Sequence, residues 1–166
     1  AVCILKRAQA RATAGGSNAN TTLANTTGWE ARKLTEIEGE SWFVSTSGTM
    51  GVSGTNTRFT LTPGMYEADG QVPFYRTGYS TCVLYNVTDS TYQIHGEHGY
   101  SDNSGGAVQV RYPIRGTFTI TKDTEFEILQ RTASYHEGYG LGIYNYYDHT
   151  TTNSTILASI KIRKLK

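Results

Sequence analysis

The sequence contains one histidine motif whose residue types could bind a metal ion. His95, Glu97 and His98 lie close together, and imidazole and carboxylate groups are common ligands of divalent metals. In a regular strand, residues an odd number apart point to opposite faces, so His95 and His98 are expected to diverge. No cysteine or third histidine lies nearby in the sequence to complete a zinc-binding set. We therefore expect solvated or hydrogen-bonded histidines here and no metal-binding residues.

Two glycine-rich segments superficially suggest ligand-binding loops. Ser101–Gly106 carries oxygen ligands that could hold calcium, but it lacks the alternating acids and the closing glutamate of a calcium loop. Gly138–Gly142 suggests a nucleotide-binding loop, yet a strand-like Ile143–Tyr147 follows where a helix is required. The first segment is interpreted as a surface turn, and the glycines of the second as room for close strand packing.

Catalytic patterns are also weak. The sequence has no Gly-x-Ser-x-Gly motif to present a nucleophilic serine. Glu125 and Glu127 share one face of a predicted strand, but their Lys and Arg neighbours are typical of a solvated charge ladder. The sequence therefore predicts a protein that is not an enzyme, with no catalytic residues and no cofactor.

Tyrosine is the most distinctive remaining residue type, with 12 copies in the chain. Tyrosine combines a large contact area with a hydrogen-bonding tip, which suits subunit interfaces, carbohydrate stacking and the filling of a β core alike. Tyr146 and Tyr147 are adjacent, so one of them is expected to point away from the subunit's own core. The candidate subunit or ligand contacts are Tyr135, Tyr139, Tyr144, Tyr146 and Tyr147.

Alternation of polar and apolar residues predicts the strands that would position these side chains. Residues 57–70, with Pro63-Gly64 as the turn, indicate a hairpin, and Cys82–Val87 with Thr91–His95 indicates a second one. Gly28–Glu38 is the one weak candidate for a helix. Further strands are predicted at Val2–Leu5, Ala107–Tyr112, Gly116–Thr121 (after a kink at Pro113), Glu125–Arg131, Gly138–Tyr144 and Thr155–Arg163.

Two of these strands also predict which side chains are buried. Phe126, Ile128 and Gln130 share one face of their strand. In the last strand, Lys161 and Arg163 should point outward, and the inward set is Ile156, Ala158, Ile160 and Ile162. Cys3 and Cys82 lie among apolar residues and are expected to be small buried hydrophobes.

Residues 8–27 are nearly devoid of large apolar side chains and cannot offset their ordering entropy unaided. This segment is either a flexible loop or an arm that becomes ordered against a neighbouring subunit. Its candidate contacts are Arg11, Asn18, Asn20 and Leu23. The chain is thus predicted to consist of an N-terminal strand and arm (1–27) and an all-β sandwich or jelly-roll domain (28–166).

Composition narrows the class of protein. The 166 residues are 37% apolar, 11% aromatic and only 17% charged, which excludes a helix-rich protein of Glu, Lys and Ala and a disordered one. A net charge of +1 argues against a dedicated nucleic-acid binder, and no apolar stretch is long enough to insert into a membrane. The N-terminus has apolar residues before basic ones, the reverse of a secretory signal.

The order of several motifs resembles a known family. Trp29-Glu-Ala-Arg32, Phe59-Thr-Leu61-Thr-Pro-Gly64, Leu84-Tyr-Asn-Val-Thr-Asp89, Gly116-Thr-Phe118 and the final Ile160-Lys-Ile162-Arg-Lys-Leu165 occur in sequence. Together they resemble small tail-fibre-like and virion-surface proteins of double-stranded DNA viruses, especially bacteriophages, whose fold is similar to the C1q/tumour-necrosis-factor jelly roll. The resemblance covers roughly residues 8–166. It implies a homotrimer of ten-stranded jelly rolls, without catalysis, that serves as a virion component.

The resemblance has departures, since Glu67, Asp69, Gly70 and Gln71 are more polar than the family's usual strand at this point. The leading functional expectation is a capsid decoration or cement protein on the outer surface of a phage head. Its partners would be copies of itself and the major capsid protein or other virion proteins. The alternatives are a receptor-binding tip of a tail or head fibre that recognises host surface glycan, and a secreted ligand of the C1q/tumour-necrosis-factor type.

Overall fold

The computed structural model describes residues 1–10, 29–47, 57–102, 104, 108–133 and 154–166, and these ranges contain strands and turns without a helix. No helix that could span a membrane occurs in this described part. The eleven strands within these ranges are Val2–Ala10 (β1), Glu30–Ala31 (β2), Glu36–Gly39 (β3), Val44–Thr46 (β4), Arg58–Leu61 (β5), Gly64–Phe74 (β6), Gly78–Asn86 (β7), Thr91–Ser101 (β8), Val110–Ile120 (β9), Thr124–Thr132 (β10) and Ser154–Lys164 (β11).

The strands form two antiparallel sheets. Sheet A has the order β3-β1-β11-β6-β9, and sheet B has the order β4-β5-β10-β7-β8, with the short β2 also beside β10. The predicted all-β class is confirmed. In β6, side chains alternate between an apolar inner face, with Tyr66, Ala68 and Val72 buried, and a more polar outer face. β10 is instead buried on both faces over most of its length. The two inner faces enclose the hydrophobic core.

Eight strands pair as a nested set. β7 pairs with β8, β6 with β9, β5 with β10 and β1 with β11, all antiparallel. The innermost pair is a local hairpin, whereas the outermost joins Val2 to Arg163 across almost the whole chain. β1 and β11 are interior strands of sheet A. β9 forms one edge of sheet A, and β8 forms one edge of sheet B.

The core differs between its two ends. At the aromatic end, five buried rings form a continuous series in which successive centroids are 5.3–6.0 Å apart: Phe43, Tyr66, Phe118, Phe126 and Phe59. At the polar end, buried hydroxyl and amide groups replace most of these rings. We define the polar end by Thr77, Ser80, Tyr112, Gln130 and Thr132.

The predicted hairpin at residues 57–70 is wrong. β5 pairs with β4 and β10, whereas β6 pairs with β9 and β11, so the Pro63 turn carries the chain from one sheet to the other. The amide of Thr62 donates to the carbonyl of Phe43 (3.1 Å), and the amide of Met65 donates to that of Lys166 (3.0 Å). Backbone groups on both sides of the turn are thus taken by other strands, which alternation along one segment cannot reveal.

The weak helix prediction at Gly28–Glu38 is also wrong. This stretch holds β2 and β3, and its intervening amides bond to neighbouring strands. Arg32 N–H donates to the Ile128 carbonyl, and Thr35 N–H donates to the Lys6 carbonyl, each at 2.8 Å. Because tertiary partners use these backbone groups, local helical bonds cannot form.

Several strand predictions are confirmed, some with changed boundaries. The hairpin of β7 and β8 turns at residues 88–90, with Asn86 opposite Thr91. Pro113 lies within β9, at the edge of sheet A, where a missing N–H is tolerated, and the two predicted strands around it are one. β1 continues to Ala10, into the segment predicted as an arm. The predicted strand Gly138–Tyr144 lies outside the described residues.

The burial predictions are confirmed where the structure describes the side chains. Phe126, Ile128 and Gln130 are buried, as are Ala158, Ile160 and Ile162, while Lys161 and Arg163 point outward. The side chain of Ile156 lies outside the described part. Cys3 and Cys82 are buried free thiols.

Candidate ligand-binding surface

The outer face of sheet B carries a regular array of side chains across β10, β7 and β8. Register places Tyr79 opposite Tyr100, Thr81 opposite His98, Val83 opposite His95 and Tyr85 opposite Tyr92. On the other side of β7, Arg131 lies opposite Thr81, Leu129 opposite Val83 and Glu127 opposite Tyr85. Val83, Leu129 and Glu127 are buried within this array, and its exposed part consists mainly of hydroxyl, imidazole and aromatic groups.

Both histidines of the first motif lie on this outer face, so the expectation that they diverge is wrong. The β7–β8 pairing shifts register between Thr81 and Val83, where β8 contains an additional residue. Such a bulge restores His98 to the same side as His95, and both are exposed. Gly96 points inward at the bulge, where a Cβ atom would lie 2.7 Å from the Cys82 Sγ. Among the described residues, no group of three or more His, Cys, Asp and Glu side chains is placed to hold a metal.

An aromatic cluster occupies the end of this face nearest the β7–β8 turn. We define it by Trp29, Tyr85, Tyr92 and His95. The Tyr92 ring is central, with centroids 5.8 Å from Trp29, 5.6 Å from Tyr85 and 5.4 Å from His95. Tyr92 nevertheless remains 48% exposed. The cluster is therefore a preassembled aromatic patch on the surface of the single chain.

A cleft of about 300 Å³ lies at the other end of the face. We call it the tyrosine cleft, and the described residues that line it are Tyr79, Ser80, Thr81, Arg131, Thr132 and Ala133. Tyr79 is 70% exposed and Tyr100, beside it, is 55% exposed. Their rings meet edge to face, with centroids 5.1 Å apart and planes at 63°. The contact limits the rotation of two side chains that would otherwise be free in solvent.

Beneath the cleft lies the polar end of the core. The hydroxyls of Thr77, Ser80, Tyr112 and Thr132 and both polar atoms of Gln130 are buried without a hydrogen-bond partner in the described part of the chain. Burial raises the pKa of Tyr112, and the nearby Ser80 hydroxyl offsets part of this rise although the two groups do not meet hydrogen-bond geometry. Burial of a polar group without a partner costs free energy, so this end of the core is expected to be less stable than an apolar one.

Arg32 enters the core at this same end and is fully buried. Its Nη2 donates a hydrogen bond to the carbonyl of Pro73, and its guanidinium carbon lies 5.3 Å from the centroid of the Phe74 ring. Both contacts fix the segment before β3 against the end of β6. Arg32 belongs to the motifs behind the family resemblance, and in the structure it holds two segments of the core together.

The buried thiols of Cys3 and Cys82 are expected to be unreactive. Burial raises the pKa of Cys82 to about 12 and that of Cys3 to about 11. Because the thiolate is the reactive form, both groups are poor nucleophiles at neutral pH.

Charges elsewhere on the sandwich are paired across strands. Arg58 on β5 bridges Glu125 at 3.0 Å and Glu127 at 3.2 Å, so the two acids do form a cross-strand charge ladder. The prediction that the ladder is solvated is wrong for Glu127, which is buried. On sheet A, Glu67 pairs with Arg163 (3.0 Å) and Asp69 with Arg115 (2.8 Å). The acids that depart from the family pattern therefore face outward among cations.

The sequence-predicted contact residues are not brought together by the described structure. Tyr135, Tyr139, Tyr144, Tyr146 and Tyr147, and the arm residues Arg11, Asn18, Asn20 and Leu23, all lie outside the described residues. Of the predicted turn Ser101–Gly106, Ser101 is the last residue of β8, and its Oγ donates to the Val108 carbonyl at 2.9 Å.

The sequence analysis missed Tyr79, Tyr100 and Arg131. Tyr79 and Thr81 alternate with Ser80 and Cys82 in β7, a pattern that indicates a polar outer face. Their position beside Arg131 depends on the pairing of β7 with β10, which lies some fifty residues later in the chain. Tyr100 reaches Tyr79 only because of the bulge in β8, so its place was not predictable from strand parity.

The chain was also compared with known proteins. No family model and no curated protein matches it. Functional conclusions therefore rest on the geometry of this surface and on the resemblance of the motifs.

Proposed function

We propose that the protein is a non-enzymatic structural component of a virus particle, a homotrimer of C1q/tumour-necrosis-factor-like jelly rolls that decorates and cements the outside of a phage head. The nested strand pairing supports the jelly-roll part of this proposal. A jelly roll is a long antiparallel hairpin that is rolled into two sheets, so its strands pair first with last and inward in order.

The aromatic cluster carries the proposal of self-association. Trp29, Tyr85 and Tyr92 form a contiguous patch that the single chain leaves partly open, and aromatic residues are enriched in the buried centres of subunit interfaces. The ion pairs of sheet A are already satisfied within one chain, so they provide less reason for a partner to bind. Burial of the cluster by a second copy would stabilise an oligomer.

A decoration protein acts by burying surface between itself and its neighbours. A trimer that contacts adjacent capsomers links their separations, and mass action then favours the assembled shell. Paired surface charges and a small net charge of +1 suit a protein whose partners are copies of itself and a shell.

Oligomeric state is the first test. Light scattering on the purified chain should give three times 18.3 kDa. Tyr92→Ser should shift the protein toward monomer, whereas Met65→Ser, an exposed apolar residue on the opposite sheet, should not. A monomer at all accessible concentrations would contradict the trimer.

Location is the second test. Quantitative mass spectrometry of purified particles should find hundreds of copies of a capsid decoration protein, whereas a handful would indicate a tail component. Particles that lack the protein should lose resistance to heat and low salt. If they withstand both as well as complete particles, the cement role is wrong.

A further inference from the structure

We propose that the tyrosine cleft is a saccharide-binding site. This inference goes beyond the proposed structural role, since it concerns a different end of sheet B from the aromatic cluster. Tyr79 and Tyr85 are six residues apart on β7, which separates the two regions by about 20 Å. A copy of the chain bound at the cluster and a ligand in the cleft therefore use different side chains.

The first argument is the aromatic platform. A sugar ring has faces made of C–H groups that pack against an aromatic ring, and the exposed Tyr79 ring offers such a surface. Its edge-to-face contact with Tyr100 holds it in place, so less side-chain entropy is lost when a ligand binds. Tyrosine contributes this contact area with only two side-chain torsions, which is why binding surfaces favour it.

The second argument is the polar lining around that platform. A sugar presents hydroxyl groups at the edge of its ring, and each needs a hydrogen-bond partner when it leaves water. Thr81 supplies a hydroxyl that donates and accepts, and Arg131, its cross-strand partner, supplies guanidinium donors. Aromatic, hydroxyl and guanidinium groups thus converge on one cleft.

Size and charge limit the kind of ligand that the cleft can hold. A volume of about 300 Å³ is at the lower limit for small-molecule sites, so the cleft holds a single small unit, such as one residue of a longer glycan. Arg131 is the single cation among the described lining residues, too little charge for a nucleic-acid backbone.

The test uses the full chain, labelled with ¹⁵N, and glucose, galactose, mannose, N-acetylglucosamine and glucuronic acid as probes. At least one probe should shift the amide signals of Tyr79, Thr81 and Arg131, with a Kd on the order of 1 mM for so small a ligand. Glucuronic acid as the best probe would assign the Arg131 contact to a carboxylate, whereas a neutral sugar would assign it to hydroxyls. In either case, Tyr79→Ala should weaken binding at least tenfold.

Matched variants keep the inference falsifiable. Tyr79→Phe retains the ring and should bind within about threefold of the original, whereas Arg131→Ala should reduce affinity severalfold. Tyr92→Ala, on the same face but in the aromatic cluster, should leave binding unchanged. All of these substitutions, Tyr79→Ala included, are at the surface, and a dispersed amide spectrum like that of the original protein would show that each variant folds.

Three outcomes would overturn the inference. The first is the absence of signal shifts with every probe at concentrations far above the expected Kd. The second is binding that survives Tyr79→Ala. The third is a concentration-dependent shift of the Tyr79 signals without sugar, which would assign the cleft to a second copy of the chain. A trimer that binds no saccharide would refute this inference alone, and a monomer that binds one would refute the trimer alone.

Discussion

The two ends of the core are filled by different kinds of side chains, aromatic rings at one end and hydroxyl and amide groups at the other. At the aromatic end, five rings interlock, and the buried Tyr66 hydroxyl donates to the Thr62 carbonyl at 2.6 Å. At the polar end, the hydroxyls of Ser80 and Thr132 are equally buried without a partner in the described residues. The aromatic end is stabilised both by burial of its rings and by the hydrogen bond of the Tyr66 hydroxyl. At the polar end, the cost of burying polar groups without partners offsets part of the stabilisation from burial.

This difference coincides with the division of the outer face of sheet B. In the turn between β7 and β8, near the aromatic end, the Asn86 side chain donates to the Asp89 carboxylate (3.1 Å) and accepts from the Asp89 amide (2.9 Å). The tyrosine cleft lies over the polar end. Binding regions are often drawn from the less stable parts of a fold, and the proposed saccharide site follows that rule.

The largest expected effect is at the aromatic end. Phe126→Ala removes a fully buried ring that lies 5.3 Å from Phe118 and 5.9 Å from Phe59. The free energy of unfolding should fall by about 3–5 kcal/mol, measured by urea denaturation. Phe126→Leu fills more of the cavity and should cost less than the alanine variant. A loss below about 1 kcal/mol for alanine would mean that the ring series does not stabilise this end.

A pair of amide substitutions compares the ends directly. Asn86→Leu, at the turn between β7 and β8, removes bonds to Asp89 and Gln93 and should lower the free energy of unfolding by about 1–3 kcal/mol. Gln130→Leu removes a buried amide whose polar atoms have no described partner, so it should be neutral or stabilising. Urea denaturation of both variants tests this. Equal losses would abolish the distinction between the ends.

An alkaline titration examines Cys82, which lies next to the polar end. Burial raises the pKa of Cys82 to about 12, so the folded state keeps the proton that the unfolded state releases near the ordinary thiol pKa of 9.0. The contribution of the neutral thiol is fully present below pH 9 and is lost as the pH rises toward 12. Unfolding should therefore become easier by about 1 kcal/mol by pH 10.

The control for that titration is Cys82→Ala, which should remove this share of the alkaline loss even if its own stability is lower. Cys3 and other groups still titrate in the variant, so the comparison is between slopes of stability against pH. Identical slopes in both proteins would contradict the assignment to Cys82.

The smallest expected effect concerns the turn between β7 and β8, near the aromatic end. Ser90 adopts a left-handed backbone conformation with φ of 55°, which costs a residue with a Cβ more than it costs glycine. Ser90→Gly should raise the free energy of unfolding by about 0.5 kcal/mol, because the greater freedom of glycine in the unfolded chain offsets part of the gain. Thermal denaturation measures it, and a fall in the melting temperature would show that Ser90 is not strained.

The sequence predicted the class of fold and the inward faces of single strands well. Alternation in β10 and β11 identified Phe126, Ile128, Ile160 and Ile162 as buried because a half-buried strand imposes a period of two. The same alternation says nothing about which strand lies alongside. Alternation on both sides of Pro63-Gly64 therefore predicts a hairpin, whereas the turn joins a strand of sheet B to a strand of sheet A.

The surface was less predictable. One additional residue in β8 moved His98 and Tyr100 to the same side as His95, and no local sequence pattern marks such a bulge. The tyrosine cleft joins β7 to the end of β10, so its composition follows from a long-range register. The tyrosines that the sequence analysis favoured, from Tyr135 to Tyr147, remain a prediction.

The pairing of β1 with β11 has a consequence for how the molecule is made. Val2 finds its central partner only at Arg163, so during synthesis sheet A stays incomplete until nearly all of these residues have emerged from the ribosome. Until then, β3 can pair with one side of β1, where Lys6 bonds to Glu38. The other side of β1, which pairs with β11 in the folded protein, stays unpaired. Closure of so non-local a pairing late in synthesis is expected to slow folding, and it leaves the unpaired side of β1 exposed on nascent chains.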